Sequence, residues 1–332
     1  MLNLPNYQDV LDAARRIEGH AIKTPLLRSN ILDDLCGARV FLKAENLQRT
    51  GSFKFRGAMN SVTAYLEQNP DLAKRGVIAC SSGNHAQGIA EAARLLNVPA
   101  TIVMPFDAPK IKVDRTRRSG ATVLFFDRAN EDRDVVTNAK AEELGAVLIH
   151  PFNNPYVMAG QGTCALEAVD FFDETDIELS RVFACTGGGG LSAGIALVTQ
   201  HRFPNARFHT VEPEGFDDYS RSLAKGERVE NATTVGSICD AIITPTPGEL
   251  SFSILKDYAA EGLVISDEEA LRAVAFAFNE LKIVVEPGGA AALASLLSQK
   301  IDIQGETVLV TLSGGNIDPE MMSKALSLGA PS

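Results

Sequence analysis

The sequence has no surplus of positive charge. Its formal net charge is -11, the reverse of what a nucleic-acid backbone attracts. Basic residues cluster once, from Lys110 to Arg118, and their near-helical spacing fits a solvated helix face. Long apolar runs are missing as well, so no segment is built to span a bilayer. The N-terminus lacks the basic-then-apolar order of a secretory signal. Nucleic acid and membrane are therefore not the expected partners, and a cytoplasmic location is. Cysteines are sparse: Cys36, Cys80, Cys164, Cys185 and Cys239 are scattered and without C-x-x-C spacing. That pattern argues against a disulfide framework or a zinc site and fits a reducing compartment. Low-complexity segments, Pro-rich linkers and short repeats are absent too.

What is present is an alternation of apolar strands and helices along 332 residues. Strands are expected at Ala38–Lys43, Val77–Cys80, Ala100–Met104, Thr122–Phe126, Ala146–His150, Arg181–Cys185, Arg207–Val211, Leu263–Ile265 and Thr307–Leu312. Helices are expected over 6–18, 57–68, 84–96, 109–119, 130–144, 155–171, 267–281 and 288–297, and one more runs from the glycines after Cys185 to His201. Strands separated by helices of 10–15 residues imply βαβ units and parallel sheets. The chain is an α/β protein in two lobes. The small domain spans 76–149, and a discontinuous large domain takes 1–75 and 150–332.

Several stretches carry chemistry. In T-G-S-F-K-F-R-G-A, Lys54 lies between Phe53 and Phe55, just before the expected helix start. Apolar flanks suit a lysine that works as a neutral amine, although a surface lysine covering a strand has the same look. The run C-T-G-G-G-G-L-S-A-G, Cys185 to Gly194, follows a strand and opens a helix. Bare backbone N–H groups there can cradle a phosphate. It is not an NTP P-loop, and Ser192 replaces the last glycine of a dinucleotide fingerprint. Ser81 to Gly88, S-S-G-N-H-A-Q-G, offers either a plain N-cap or a carboxylate site. Ser313, in T-L-S-G-G-N, ends a strand where open sheets place ligands. Glu212 and Asp218, in V-E-P-E-G-F-D-D, are either a solvated loop or two ligands for a hard cation. Glu286, in V-E-P-G-G-A, can meet a ring substituent. A phosphate cradle, a ring-nitrogen partner and an imine-forming lysine together describe pyridoxal phosphate.

In this order the motifs S-F-K-F-R-G-A, S-S-G-N-H-A-Q-G, A-G-Q-G-T (Ala159–Thr163), G-G-G-G-L-S-A-G, V-E-P-G-G-A and S-G-G-N resemble the serine/threonine dehydratase and serine racemase family. These are fold-type II pyridoxal-phosphate enzymes, tryptophan synthase β-like, and include 3-hydroxyaspartate dehydratases. The resemblance runs from about residue 5 to 325. It implies that Lys54 is the Schiff-base lysine and that Phe53 packs on the ring. It implies that Asn84 binds the ring hydroxyl, that Gly187, Gly188, Gly189 and Gly190 bind the phosphate, and that Ser313 faces the pyridine nitrogen. Ser81, Ser82 and His85 fall where the family holds the substrate carboxylate, and Ser82 matches the second-face acid/base of the racemases. Glu212, the Phe216 carbonyl and Asp218 match the ligands of a divalent cation (Mg, Mn or Ca). A homodimer is implied too. The chain leaves no room after S-G-G-N for a C-terminal regulatory domain.

The activity this implies is β-elimination: a β-hydroxy amino acid (serine, threonine or 3-hydroxyaspartate) becomes a 2-oxo acid and ammonia, with Lys54 taking the Cα proton. Racemisation through Ser82, or β-replacement on the same fold, are the alternatives. A nucleotide-binding oxidoreductase using the glycine loop stands further off. For a β-carboxylate substrate, Arg133 and Thr244 are candidates by position.

Overall fold

The structure is a computed structural model that describes residues 3–108, 110–233 and 235–330. Among these, ten strands form two sheets. In chain order they are β1 (Leu26–Leu27), β2 (Arg39–Ala44), β3 (Val77–Cys80), β4 (Ala100–Pro105), β5 (Thr122–Phe126), β6 (Val147–Leu148), β7 (Arg181–Cys185), β8 (Arg207–Pro213), β9 (Ala259–Ile265) and β10 (Thr307–Leu312). The larger sheet runs β1-β2-β10-β7-β8-β9 and the smaller β5-β4-β3-β6. Every pairing is parallel except the short β1–β2 edge.

The central strands are apolar because both faces are covered. All five residues of β7 and all six of β10 are buried. Alternation along β7 sends Val182 and Ala184 to one core and Phe183 and Cys185 to the other. The first core receives the helices Pro155–Glu174 and Gly190–Arg202. The second receives Asp267–Asn279 and Pro287–Leu297. The third core, on the small sheet, takes Phe55, Ala58, Met59 and Val62 from the helix Lys54–Gln68. The lysine-bearing helix thus packs on the small sheet while its start belongs to the large one.

That helix begins at Lys54, three residues earlier than expected. Gly57, the expected helix start, lies in its first turn and is a contact point. A Cβ on Gly160 would lie 2.7 Å from the Gly57 Cα, so the two helices touch backbone to backbone. Elsewhere the expected strand 146–150 shortens to β6, although the Ile149 N–H still bonds the Ile78 carbonyl at 2.9 Å. The helix expected from 130 starts at Arg133, capped by Asp132. Pro109, expected at a helix start, lies outside the described residues. Helices at Asn30–Cys36, Asp218–Lys225, Glu249–Tyr258 and Pro319–Leu328 were not among those expected.

One buried ionic cluster fixes the helix. Arg56 is fully buried and donates from Nε to Glu45 Oε2 and from Nη1 to Glu167 Oε1, each at 2.7 Å. It also reaches the Ile22 carbonyl at 3.2 Å and Thr163 Oγ1 at 3.3 Å. Lys43 completes the set, donating to Glu167 Oε2 and the Thr24 carbonyl at 2.6 Å. Two cations face two carboxylates, so the group is neutral and its polar atoms are paired. Removing one member leaves an uncompensated buried charge. Arg56→Ala is therefore expected to destabilise the fold by about 3–5 kcal/mol in denaturant titration. A loss below about 1 kcal/mol, the range of a surface pair, would contradict this role.

Candidate active site

The site gathers at the C-terminal ends of strands, as open α/β sheets arrange it. Lys54 is half-buried, and its Nζ donates to the Pro151 carbonyl at 3.1 Å, just beyond β6. The amine lies 5.1 Å from the centre of the Phe53 ring. Burial lowers its pKa from 10.5 to about 8, against a partial pull upward from Glu286. The loop before it is tied to the end of β10. Phe53 N–H bonds the Ser313 carbonyl at 3.1 Å, and Ser52 bridges Gly314. Ser313 is itself buried.

The glycine loop follows β7. Gly189 has φ +84, and a Cβ there would fall 1.8 Å from Tyr219 Oη. A Cβ on Gly188 would lie 2.3 Å from the Phe152 ring. The Gly188 carbonyl is held back by Ser251 Oγ at 2.7 Å, Gly248 N–H at 3.2 Å and Tyr219 Oη at 3.3 Å. A trans peptide then turns the Gly189 N–H the opposite way. Among the described residues, the N–H groups of Gly187 to Leu191 donate to nothing. Free N–H groups at a helix start are the kind of array that can hold an anion.

A second set of free N–H groups starts the helix Asn84–Leu95, where those of Ser82, Asn84 and His85 have no partner among the described residues. Ser81 Oγ accepts from Gly83 N–H at 3.2 Å. Asn84 Nδ2 donates to Glu286 Oε1 at 2.7 Å, which brings the fifth expected stretch to the second. Burial raises Glu286 to about 7. The His85 side chain points to the Ile149 carbonyl from Nε2 at 3.0 Å, and that oxygen can only accept, so Nε2 carries the proton. Burial first, then Lys54, lower its pKa to about 3. His85 is neutral, and its backbone N–H is what remains for an anion.

Arg133 stands at a helix start, mostly exposed, 3.3 Å from Asp134. Its charge nonetheless reaches His150, whose pKa burial and Arg133 lower to about 4. Thr244 is half-buried. Its Oγ1 is buried with no partner, while its carbonyl accepts from Asn231 Nδ2 at 2.7 Å.

Glu212 and Asp218 are fully buried. Glu212 accepts from the Tyr219 and Ser220 N–H groups at 2.9 and 2.8 Å. Asp218 Oδ1 accepts from Asn231 at 2.7 Å, but its Oδ2 has no partner. Burial, then Asp218, raise Glu212 well above the usual carboxylate range, and burial raises Asp218 to about 7. The Phe216 carbonyl accepts no bond among the described residues. No cluster of three His, Cys, Asp or Glu side chains suited to a metal occurs among those residues.

Several contributors had no role in the sequence reading. His150, Pro151 and Phe152 follow β6, and their position just past a strand end is the signal that could have found them. Tyr219 and Ser251 act through one carbonyl, which no local pattern announces.

The family model for pyridoxal-phosphate dependent enzymes matches residues 17–314. An L-threo-3-hydroxyaspartate ammonia-lyase of Pseudomonas sp is 44% identical over 98% of this chain and 99% of its own length. A serine racemase of Schizosaccharomyces pombe is 40% identical over 98% of each chain. Among solved structures, maize serine racemase matches with a TM-score of 0.89 at 32% identity, covering 98% of this chain and 97% of that one.

The lowered pKa of Lys54 has a direct readout. Acylation of Lys54 in the cofactor-free protein, followed by mass spectrometry, is expected to rise with pH through about 8 and then level off. A midpoint near the ordinary 10.5 would show an amine in open water.

Proposed function

We propose that this chain, which belongs to the pyridoxal-phosphate dependent enzyme family, is an ammonia-lyase acting on a β-hydroxy amino acid, with L-threo-3-hydroxyaspartate the favoured substrate. The observation that carries the reading is Lys54, an amine with a pKa of about 8 whose Nζ bonds the Pro151 carbonyl, next to the Phe152 ring that packs on the glycine loop. The names of two relatives, at 44% and 41% identity, favour the hydroxyaspartate.

The residues fit the cofactor, because the N–H groups of Gly187 to Leu191 are left without partners among the described residues, on a loop whose packing against Ile242, Phe152 and Tyr219 admits no side chain. Gly187, Gly188, Gly189 and Gly190 would hold its phosphate, Phe53 its ring face, Asn84 its ring oxygen and Ser313 its ring nitrogen. Bound pyridoxal phosphate supplies the electron sink that makes the Cα proton removable. Lys54 takes that proton, and a neutral amine is the form that can. Ser313 is a hydroxyl, so it cannot deliver a full positive charge to the ring, which favours elimination over transamination. Ser81, Ser82 and the N–H groups up to His85 hold the α-carboxylate. Thr244 Oγ1 and Arg133 are left for a β-carboxylate. Loss of the Cα proton and the β-hydroxyl as water gives an enamine, which hydrolyses to the 2-oxo acid and ammonia. Ser82 on the second face would add racemisation.

Glu212, Asp218 and the Phe216 carbonyl fit a hard divalent cation. A buried carboxylate oxygen without a partner, beside a second buried carboxylate, is the arrangement such an ion neutralises. Residues 76–149 form the small domain and the remainder the large one. A cytoplasmic homodimer completes the reading, in line with the resemblance.

Ammonia release is expected from L-threo-3-hydroxyaspartate with kcat/KM at least about tenfold above L-serine and L-threonine. Lys54→Ala should lower it at least about 10³-fold. Dominant inversion of serine without ammonia would replace the lyase by a racemase. For the cation, chelation should lower Tm by a few degrees and magnesium or calcium restore it, with no such response in Asp218→Asn. An identical Tm in both conditions would remove the site.

A further inference from the structure

One member of the S-G-G-N stretch is left without a part in the chemistry, and its bonds reach three separate segments. Asn316 Nδ2 donates to the Thr50 carbonyl and to Asn84 Oδ1, both at 2.8 Å. Arg115 Nη1, on the helix Lys110–Arg118, approaches Asn316 Oδ1 at 3.5 Å. The Thr50 carbonyl can only accept, so the atom facing it must be the nitrogen, and the amide has one orientation.

That orientation propagates. Asn84 must turn its oxygen to Asn316, and its nitrogen then gives one hydrogen to Glu286 Oε1 at 2.7 Å. The second Nδ2 hydrogen has no partner among the described residues. Thr50, on the other side, is a β-branched residue at φ 65, a conformation that persists only where its surroundings enforce it. A Cβ on Gly51 would fall 2.8 Å from Asn316 Oδ1, so the lysine turn is built around this side chain.

We infer that Asn316 is a positioning residue: it locks the Asn84 amide so that only an N–H is offered to the cofactor's ring oxygen, and it pins the Thr50 turn that carries Lys54. The inference rests on the reading of Asn84 as the ring-oxygen partner. An N–H at that oxygen stabilises its anion, whereas a flipped amide would place a carbonyl there and repel it. Without Asn316, the Asn84 oxygen loses its donor and Glu286 Oε1 is the one partner left to hold the amide among the described residues.

The test is a pH titration of the visible absorbance of the cofactor-loaded enzyme, with cofactor dissociation measured alongside. Asn316→Ala and Asn316→Asp, neither of which can donate to Asn84, should both shift the transition upward by about one pH unit, equivalent to a tenfold change in equilibrium. Cofactor binding should weaken by about tenfold. Asn84→Ala should shift the titration alike, and adding Asn316→Ala to it should shift it no further, because one residue acts through the other. A shift in Asn84→Ala but none in either Asn316 variant would overturn the positioning role and leave Asn84 in place. Additive shifts in the double variant would overturn it as well. No shift in Asn84→Ala would overturn the ring-oxygen reading and this inference together.

Discussion

A lysine at the first residue of a helix is penalised twice. Burial disfavours its charge, and the positive end of the helix dipole disfavours it again. Lys54 occupies that place, with a pKa lowered to about 8 and the nearby Glu286 opposing the shift only in part. The fold must therefore hold an unfavourable group where water and a free chain would not leave it. Everything around the site answers to that requirement. Among the described residues the Lys54 side chain bonds only a neutral backbone carbonyl, that of Pro151, and no carboxylate that would fix its charge.

Two devices keep the helix start in position. Arg56, two residues on, is anchored in a neutral buried cluster with Glu45, Glu167 and Lys43. Gly57 lets the next turn press directly on Gly160 of the helix Pro155–Glu174. Such a cluster adds little net stability over an apolar equivalent. What it contributes here is register: charges that must pair leave the helix one axial position. The same helix feeds the core of the small sheet, while the loop before it bonds the end of β10. The lysine thus sits where the two sheets' packing meets, and Lys112–Asp240 at 3.0 Å adds a surface link between the helix Lys110–Arg118 and the segment before Glu249.

Much of this was legible in the sequence. Parallel strands announce themselves because burial on both faces makes them continuous apolar runs, and Thr122–Phe126, Arg181–Cys185 and Thr307–Leu312 have the expected limits. Three stretches of the site follow such strands, β3, β7 and β10, and carry glycine or small polar residues for a backbone reason. What periodicity could not supply was any feature set by tertiary contact. The helix expected from Gly57 starts three residues earlier, at Lys54, where the loop bonded to β10 hands over to it. The Asp218–Lys225 and Glu249–Tyr258 helices fall in the stretch left irregular in the sequence reading, yet they deliver Tyr219 and Ser251 to the Gly188 carbonyl. Asn316 read as part of a turn, and its three-way bonding depends on segments more than 200 residues away in the chain.

The central claim is that Lys54, and no other lysine, bonds the cofactor. Borohydride reduction of the loaded enzyme, followed by peptide mass spectrometry, tests it directly. The account predicts a single pyridoxyl-modified peptide with the label on Lys54. A label on another lysine, or a loaded enzyme that acquires none, would contradict it.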